Sequence, residues 1–445
     1  MLSKLDKNIT NSLAFRLWQI LSGLVMLALI PIFLGSVEQG YYFTFGSIIA
    51  LQMFFELGLN NIIVQFVAHA ASEMERATLA GDAAATERAK YSLASIASVC
   101  KVWYRIAAIG FLVVATVIGF MYFRSFSQQA QVHWQLPWIV LCVATAGNLM
   151  LSPHLSLLEG RGFVSNVAGM RLQQAVLGSA IAWTLLLSGQ GLLAVIATPV
   201  TAFFYTACWI RMKTVARANL VPTGAIDFKA TYSLWKREIL PLQARMSLSW
   251  FSGYFAYQLF VPTAFAIYGA KAAGQLGLAL TASNAIVGLS MSWINAKSPE
   301  MAHKLAGSQI QEAKRVFWRH ASLSSVLNAA CWVVVLSAQI FVLTTNWKIQ
   351  QKFPTLGQTL IIAANALISH VTFSFSTYFR AHKHEPTVPI ALLQALLVVG
   401  LLQFCSHLSL TQTLALNLMI TAAVVLPGTL YIYRRNYAKY AIQRS

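Results

Sequence analysis

Two arginines of this chain lie within hydrophobic segments, where a positive charge is unfavourable. Arg16 and Arg245 are each surrounded by apolar residues, and an arginine at the centre of a membrane helix costs about 2.5 kcal/mol or more. The planar guanidinium group can bind phosphate through two parallel hydrogen bonds, so the pair could hold a phosphate-bearing ligand. The alternative is that both side chains extend to the nearby membrane surface.

A single carboxylate, Glu56, lies near the middle of another hydrophobic segment. Gln52 and Asn60 are four residues away on either side, and in a continuous helix the three side chains share one face. A carboxylate in hydrocarbon needs a cationic partner or a proton. Glu56 could pair with an arginine and release it on protonation, which would make this ion pair respond to an ion gradient. The alternative is a structural hydrogen bond between helices.

Lys101 and Arg105 are also four residues apart, at the predicted cytosolic start of a span. We predict that they bind anionic headgroups, or that they only anchor the helix at the membrane surface. A second group combines aromatic and amide side chains at helical spacing, which suits a saccharide but is also common at interfaces and in cores. Its members are Trp250, Tyr254, Tyr257 and Gln258.

The sequence contains no arrangement typical of an enzyme or a metal site. It has no nucleophile motif, no glycine-rich phosphate loop and no carboxylate pair, and its five cysteines lack CxxC spacing. His382 and His384 are a poor zinc pattern, because they are close together in a loop. We therefore predict a protein that is not an enzyme, with no metal site and no cofactor.

The composition indicates that lipid, rather than water, surrounds most of the chain. Of 445 residues, 57% are hydrophobic and 10% are charged, whereas soluble domains carry about a quarter charged residues. The formal net charge of +19 comes from Lys and Arg that lie between apolar runs. This distribution follows the positive-inside rule and argues against nucleic-acid binding.

Twelve apolar segments are long enough to cross a bilayer, since a helical span needs roughly 20 residues. Loop charge places both termini in the cytosol, because the predicted external loops hold only Arg124, Lys271, Lys348 and Lys352. The predicted spans are 12–34, 41–69, 105–123, 137–158, 171–187, 191–210, 240–261, 274–293, 322–344, 359–379, 388–404 and 414–433.

These spans predict an all-α polytopic membrane protein built from two halves. The halves are an N-terminal six-helix bundle over residues 1–215 and a C-terminal six-helix bundle over 237–445, joined by a cytosolic linker over 216–236. A repeated pattern supports the division, because an arginine, a Ser-Gly pair, a proline and two glycines recur in the same order. The first copy contains Arg16, Ser22-Gly23, Pro31, Gly35 and Gly40, and the second contains Arg245, Ser252-Gly253, Pro262, Gly269 and Gly274. Such repeats are typical of secondary transporters.

Short stretches of the sequence also resemble one transporter family. They are Pro31 to Gly35 with Gly40-Tyr41, the run Phe54 to Leu59, and Leu240-Pro241-Leu242 with Arg245. Together with the twelve-span layout, they resemble the polysaccharide (O-antigen type) flippases of the multidrug/oligosaccharidyl-lipid/polysaccharide (MOP) exporter superfamily. The resemblance implies two pseudo-symmetric six-helix bundles around a central cavity.

The resemblance also implies a function. Such a protein moves a polyprenyl-diphosphate-linked oligosaccharide from the cytosolic to the outer leaflet of a bacterial inner membrane, by alternating access, for surface polysaccharide biosynthesis. Arg16 and Arg245 would engage the diphosphate, and the aromatic residues of span 7 would hold the sugars. The implied partners are this glycan, the lipid bilayer, and the polymerase and glycosyltransferases of the pathway.

Two other functions remain open on the sequence. A cation-coupled multidrug or small-metabolite exporter of the same superfamily has the same layout. A membrane-embedded polysaccharide polymerase or transferase is the less favoured alternative, because the external loops are short and no catalytic cluster is present.

Overall fold

The computed structural model describes residues 2–56, 58–126, 132–212, 236, 253–345, 348–382 and 384–442. Every regular element within these ranges is helical. Ten helical segments of the described ranges are long and apolar enough to cross a membrane. This is the pattern expected of a multi-pass membrane protein.

The α-helices are numbered here in chain order. They are α1 (Leu2–Phe33), α2 (Ser36–Ile49), α3 (Met53–Glu56), α4 (Leu59–Leu79), α5 (Ala83–Phe126), α6 (Gln135–Gly160), α7 (Val164–Leu187), α8 (Ala194–Met212), α9 (Phe260–Asn295), α10 (Ser298–Ala306), α11 (Ile310–Thr344), α12 (Leu356–Ala381), α13 (Val388–Phe404), α14 (Leu410–Ile420) and α15 (Leu426–Ile442). A π-helical turn at Thr421–Val425 joins α14 to α15.

Apart from span 2, which several elements share, the predicted spans match these helices wherever the structure describes them. Span 5, predicted over 171–187, is the second part of α7, which is helical but is not among the ten segments long and apolar enough to cross a membrane. Span 7, predicted over 240–261, lies largely outside the described residues. The chain between spans 2 and 3 is largely helical and forms the end of α4 and the beginning of α5.

The chain divides into two compact units. The N-terminal unit comprises Met1–Leu29 and Phe45–Phe251, and the C-terminal unit comprises Ile30–Thr44 and Ser252–Ser445. The segment Ile30–Thr44 therefore packs with residues of the second half of the sequence. The linker predicted over 216–236 falls almost entirely outside the described residues, so the predicted domain boundaries stay a prediction.

An aromatic cluster joins α2, α5 and α6 within the N-terminal unit. The ring centroid of Phe45 lies 5.0 Å from that of Phe123 and 5.0 Å from that of Trp138. Gly119 on α5 leaves room for the Trp138 indole, which a methyl group at that position would overlap. Close packing of this kind holds transmembrane helices together, since lipid provides no hydrophobic driving force between them.

The C-terminal unit has its own core near one end of α9, α11 and α12. Phe317 lies 4.7 Å from Tyr378 and 5.3 Å from Phe375 between ring centroids. The short amphipathic helix α10 inserts Met301 and Leu305 into this cluster. α10 therefore lies against the ends of the apolar helices instead of extending freely from them.

Both copies of the repeated pattern interrupt a helix at a glycine. α1 ends and α2 begins around Gly35, and α9 is broken at Gly269, where φ is 85° and ψ is 169°. That backbone conformation is open to glycine because it lacks a Cβ. The predicted external loop between spans 7 and 8 is consequently a sharp corner inside one long helical segment.

Candidate functional site

The second predicted span is not one continuous helix. A 3-10 turn at Ala50–Gln52 precedes α3, and Gly58 has φ of 70° and ψ of 9° where α4 begins. A helix broken at this depth leaves backbone groups unpaired, so membrane proteins retain such breaks where they serve a site or a pathway. The break at Gly58 falls between Glu56 and Asn60, so the argument that Gln52, Glu56 and Asn60 share one face of a continuous helix no longer applies.

A polar network lies immediately after this break, with the Asn60 side chain at its centre. The Asn60 carbonyl oxygen accepts hydrogen bonds from the Tyr104 hydroxyl at 2.8 Å, the Ser152 hydroxyl at 2.9 Å and the Ser156 hydroxyl at 3.0 Å. Its amide nitrogen donates a longer bond, of 3.4 Å, to the Glu56 carboxylate. The network thus connects α4 to α5 and α6, and it brings together the predicted residues Glu56 and Asn60.

Three hydroxyl groups of this network are absent from the predicted site residues. Tyr104 and Ser156 are almost fully buried, with 0% and 2% of their surfaces exposed. Ser152 and Ser156 are spaced by four residues on α6, which was the one available sequence signal. Serine is common in membrane helices, so this spacing alone did not single them out.

Lys101 and Arg105 lie on α5, on either side of Tyr104. Lys101 is half-buried and Arg105 is exposed in this unit. His154 on α6 is close enough to interact electrostatically with both. Among the residues that the structure describes, neither Lys101 nor Arg105 forms an ion pair. The positive charges predicted here therefore lie close together on α5, and their binding of an anionic ligand stays a prediction.

The predicted pair of equivalent arginines is described only in part. Arg16 lies on α1 with an exposed side chain. Arg245 lies outside the described residues, as does Trp250. Their proposed contacts with a diphosphate and with sugars therefore stay predictions.

The remaining predicted residues of span 7 belong to the C-terminal unit and have different environments. Tyr254 is buried, with 3% of its surface exposed. Tyr257 makes an edge contact with the Phe373 ring at 6.2 Å and lines a cavity within the unit. Its hydroxyl lies within hydrogen-bonding reach of the Gln394 side chain. Tyr254 and Gln258 do not line that cavity, so the predicted cluster is only partly formed around one space.

A second set of hydrogen bonds lies at the helix corner of the C-terminal unit. The Gln39 amide donates to the carbonyl oxygens of Gly274 at 2.9 Å and Lys352 at 3.1 Å. The Lys352 ammonium group donates to the Leu34 carbonyl oxygen at 2.6 Å. Burial lowers the pKa of Lys352, and the Glu38 carboxylate opposes that shift. These bonds fix the segment Ile30–Thr44 against α9 and the turn before α12.

The fold is similar to that of solved MATE transporters. One match is an inward-facing multidrug resistance MATE family transporter of the MOP superfamily, at 15% identity, with a TM-score of 0.64 over 93% of this chain and 98% of that chain. A MATE protein in complex with MaL6 matches at 17% identity, with a TM-score of 0.50 over 96% of this chain and 97% of that one. A MATE point mutant matches at 15% identity, with a TM-score of 0.51 over 97% and 96% of the two chains.

The comparisons confirm the predicted all-α, twelve-span fold over nearly the whole chain. No protein-family model matches the sequence, and no curated protein matches it. At identities of 15–17%, the structural likeness establishes the fold of MOP-superfamily transporters. It does not distinguish the polysaccharide flippases from the other branches that share this fold.

Proposed function

We propose that this protein is a transporter that moves a polar or amphipathic substrate across a membrane without an enzymatic step. The MOP fold supports this proposal, and so does the broken second span with the Asn60 network beside it. Polar groups and irregular backbone at membrane depth are costly, and proteins retain them where they bind a substrate, bind an ion or line a pathway.

The substrate we favour is a polyprenyl-diphosphate-linked oligosaccharide, flipped from the cytosolic to the outer leaflet of a bacterial inner membrane. The observation that carries this proposal is the grouping of Lys101 and Arg105 near His154, with no ion pair among the described residues. Cationic side chains in this arrangement suit a diphosphate, which offers several acceptor oxygens. Arg16 lies on a helix of the same unit and would add to this charge.

The second candidate is a cation-coupled exporter of drugs or small metabolites. The comparisons support it better than they support a lipid-linked glycan, because the similar transporters are described as MATE proteins and one of them as a multidrug resistance transporter. Export of a cationic drug would need acidic residues in the membrane. Of the 13 acidic residues, only Glu56 falls inside a predicted span, so this candidate makes Glu56 its central residue.

A strain that lacks the gene separates the two candidates. If the protein is a flippase, lipid-linked glycan accumulates in the deletion strain, surface polysaccharide is lost, and the wild-type gene reverses both changes. A double variant, Lys101→Gln/Arg105→Gln, should fail to reverse them. The matched control is Arg88→Gln/Lys90→Gln, which removes two exposed positive charges from the same helix and should behave as wild type.

Two other outcomes would contradict parts of this proposal. Intact surface polysaccharide and no accumulated glycan, combined with increased retention of cationic dyes, would establish the exporter. Full rescue by the Lys101/Arg105 variant would refute the phosphate role of these residues while leaving the flippase function in place.

A further inference from the structure

A cavity of about 70 Å³ lies inside the C-terminal unit, among α9, α12 and α14. Within the described part of the chain, its lining contains no acidic or basic side chain. The polar side chains that line it are Tyr257, Ser283, Asn284, Asn365, Ser369 and Asn417. A cavity of this size has room for several water molecules or for the edge of one small polar ring.

Three of the lining side chains have a buried polar atom with no hydrogen-bond partner among the described residues. The Asn365 and Asn417 side-chain oxygens can only accept a hydrogen bond, whereas the Ser369 hydroxyl can donate or accept one. A buried acceptor without a donor is unfavourable, so such atoms are normally paired with protein, water or a ligand. The cavity therefore selects for a group that donates hydrogen bonds.

The rest of the lining is apolar and aromatic. Phe260 and Phe373 lie beside Tyr257, and Tyr257 and Phe373 meet edge to face. A few polar groups on an apolar wall are the usual design of a small-molecule site. A sugar ring matches it, because its C–H faces lie against aromatic rings while its hydroxyl and acetamido groups donate hydrogen bonds.

Charged ligands fit this lining poorly. A cation would be buried beside neutral oxygens with no carboxylate in the described lining to balance its charge. An anion would meet the unpaired oxygens of Asn365 and Asn417, which repel it. An uncharged, hydroxyl-rich ligand has neither difficulty.

We propose that this cavity binds the hydroxyl or acetamido edge of one uncharged sugar ring of the transported glycan. The inference rests on the proposed flippase function and deepens it, because it assigns the sugar to residues of the C-terminal unit. The diphosphate is assigned to different residues, those on α5 and α6. The sugar and the diphosphate are thus assigned to separate sets of side chains.

Soluble sugars test the inference on the purified full-length protein. The probes are N-acetylglucosamine, glucose and galactose, compared with glucosamine as a cationic analogue and glucuronate as an anionic one, each added over a millimolar concentration series. The measurement is the shift in melting temperature. We expect a saturable shift with at least one uncharged sugar and none with the charged analogues.

Substitutions in the cavity lining test whether the sugar-dependent shift in melting temperature comes from this cavity. In Asn365→Leu/Asn417→Leu, the half-saturating sugar concentration should rise by about tenfold or more, which corresponds to the loss of a few hydrogen bonds. The matched control is Asn328→Leu in α11, since Asn328 is also buried and without hydrogen-bond partners in the described structure but does not line the cavity. Asn417→Asp is a second test that keeps the side-chain size, and it should transfer binding from the uncharged sugars to glucosamine.

The failure of this inference can be told apart from failure of the proposed function. If no uncharged sugar shifts the wild-type protein, or if the shift is unchanged in the Asn365/Asn417 variant, the cavity holds only water and the inference is wrong. The flippase function would still stand if the deletion strain accumulates lipid-linked glycan. If it does not, sugar binding measured in vitro remains interpretable, but the glycan is not the transported substrate.

Discussion

Gly40 and Gly274, which occupy the same place in the two copies of the repeated pattern, pack backbone against backbone within the C-terminal unit. A methyl group on Gly274 would lie 2.8 Å from the Gly40 nitrogen, and one on Gly40 would overlap the Ala270 carbonyl group. Glycine is required at both positions by this close approach, since neither has a positive φ. Gly40 and Gly274 therefore allow two backbone segments to pack closely together. The repeated pattern in the sequence does not reveal this role.

The close contact between Gly40 and Gly274 predicts that replacing Gly274 with alanine destabilises the protein. The added methyl group must displace backbone atoms of the segment Ile30–Thr44, and overpacking of this kind typically costs about 1–3 kcal/mol. The measurement is the melting temperature in detergent. Gly288→Ala is the control, because Gly288 lies on the same helix and a methyl group there would meet nothing within 4 Å.

The control should be neutral or slightly stabilising, since alanine is favoured over glycine in a helix by about 1 kcal/mol. Equal stability of Gly274→Ala and Gly288→Ala would show that the close approach of Gly40 and Gly274 is not a feature of the folded protein.

We predict that the protein loses stability in acid because of His382, which lies at the end of α12. Burial first, and the positive charge of His384 second, lower the pKa of His382 to about 4 from an ordinary value of 6.5. The unfolded chain therefore binds the proton more tightly than the folded one. The contribution of this residue is fully present above pH 6.5 and is lost as the pH falls towards 4.

Melting temperatures measured from neutral pH down to pH 4 test this prediction. The curve of His382→Asn should be flatter than that of the wild type. His133→Asn removes an exposed histidine elsewhere and should retain the wild-type slope. Parallel curves for the wild type and His382→Asn would contradict the prediction.

The membrane spans were predictable because they depend on local properties. Composition identifies each apolar segment by itself, whereas the helix interruptions at Gly35 and Gly269 became visible only in the structure. The contacts of the repeat glycines were not predictable, because Gly40 and Gly274 are far apart in the sequence and carry no side chain whose chemistry could indicate a partner.

The candidate residues were predictable only where their partners are close in the sequence. Glu56 and Asn60 stood out as polar residues in an apolar run, and Lys101 and Arg105 as charges at the predicted start of a span. The hydroxyl of Tyr104 joins the Asn60 network across helices, and serines and tyrosines are too common in membrane segments to be noticed individually. The cavity near Tyr257 likewise depends on how three helices pack, which no periodic pattern encodes.

The Asn60 network predicts that Asn60 holds three helices of the N-terminal unit together. Asn60→Leu leaves the Tyr104, Ser152 and Ser156 hydroxyls without their shared acceptor, whereas Tyr104→Phe removes only one donor. Hydrogen bonds between membrane helices contribute about 0.6 kcal/mol on average and up to about 1.7 kcal/mol. We therefore expect Asn60→Leu to cost about 1–3 kcal/mol and to exceed Tyr104→Phe.

Reversible unfolding in mixed micelles, with the free energy extrapolated to native conditions, gives both values. Ser98→Ala is the control, because within the described part of the chain the Ser98 hydroxyl bonds to the Ala94 carbonyl of its own helix and not to another helix. If Asn60→Leu and Tyr104→Phe have equal effects, Asn60 is not the common acceptor of the network.

The long contact between Asn60 and Glu56 predicts that the carboxylate matters more for transport than for stability. At 3.4 Å the bond is weak, and glutamine at this position can accept the same bond without a charge. The change in unfolding free energy for Glu56→Gln should therefore be small, since one hydrogen bond between membrane helices contributes about 0.6 kcal/mol on average. Transport should nevertheless lose its dependence on the ion gradient, because the group that could exchange a proton or a cation is gone.

The measurement is substrate export by cells or vesicles with and without an imposed pH or sodium gradient. A variant that keeps gradient-driven export would show that Glu56 is only a structural neighbour of Asn60, whereas one that loses export in every condition while remaining folded would place Glu56 in contact with the substrate itself.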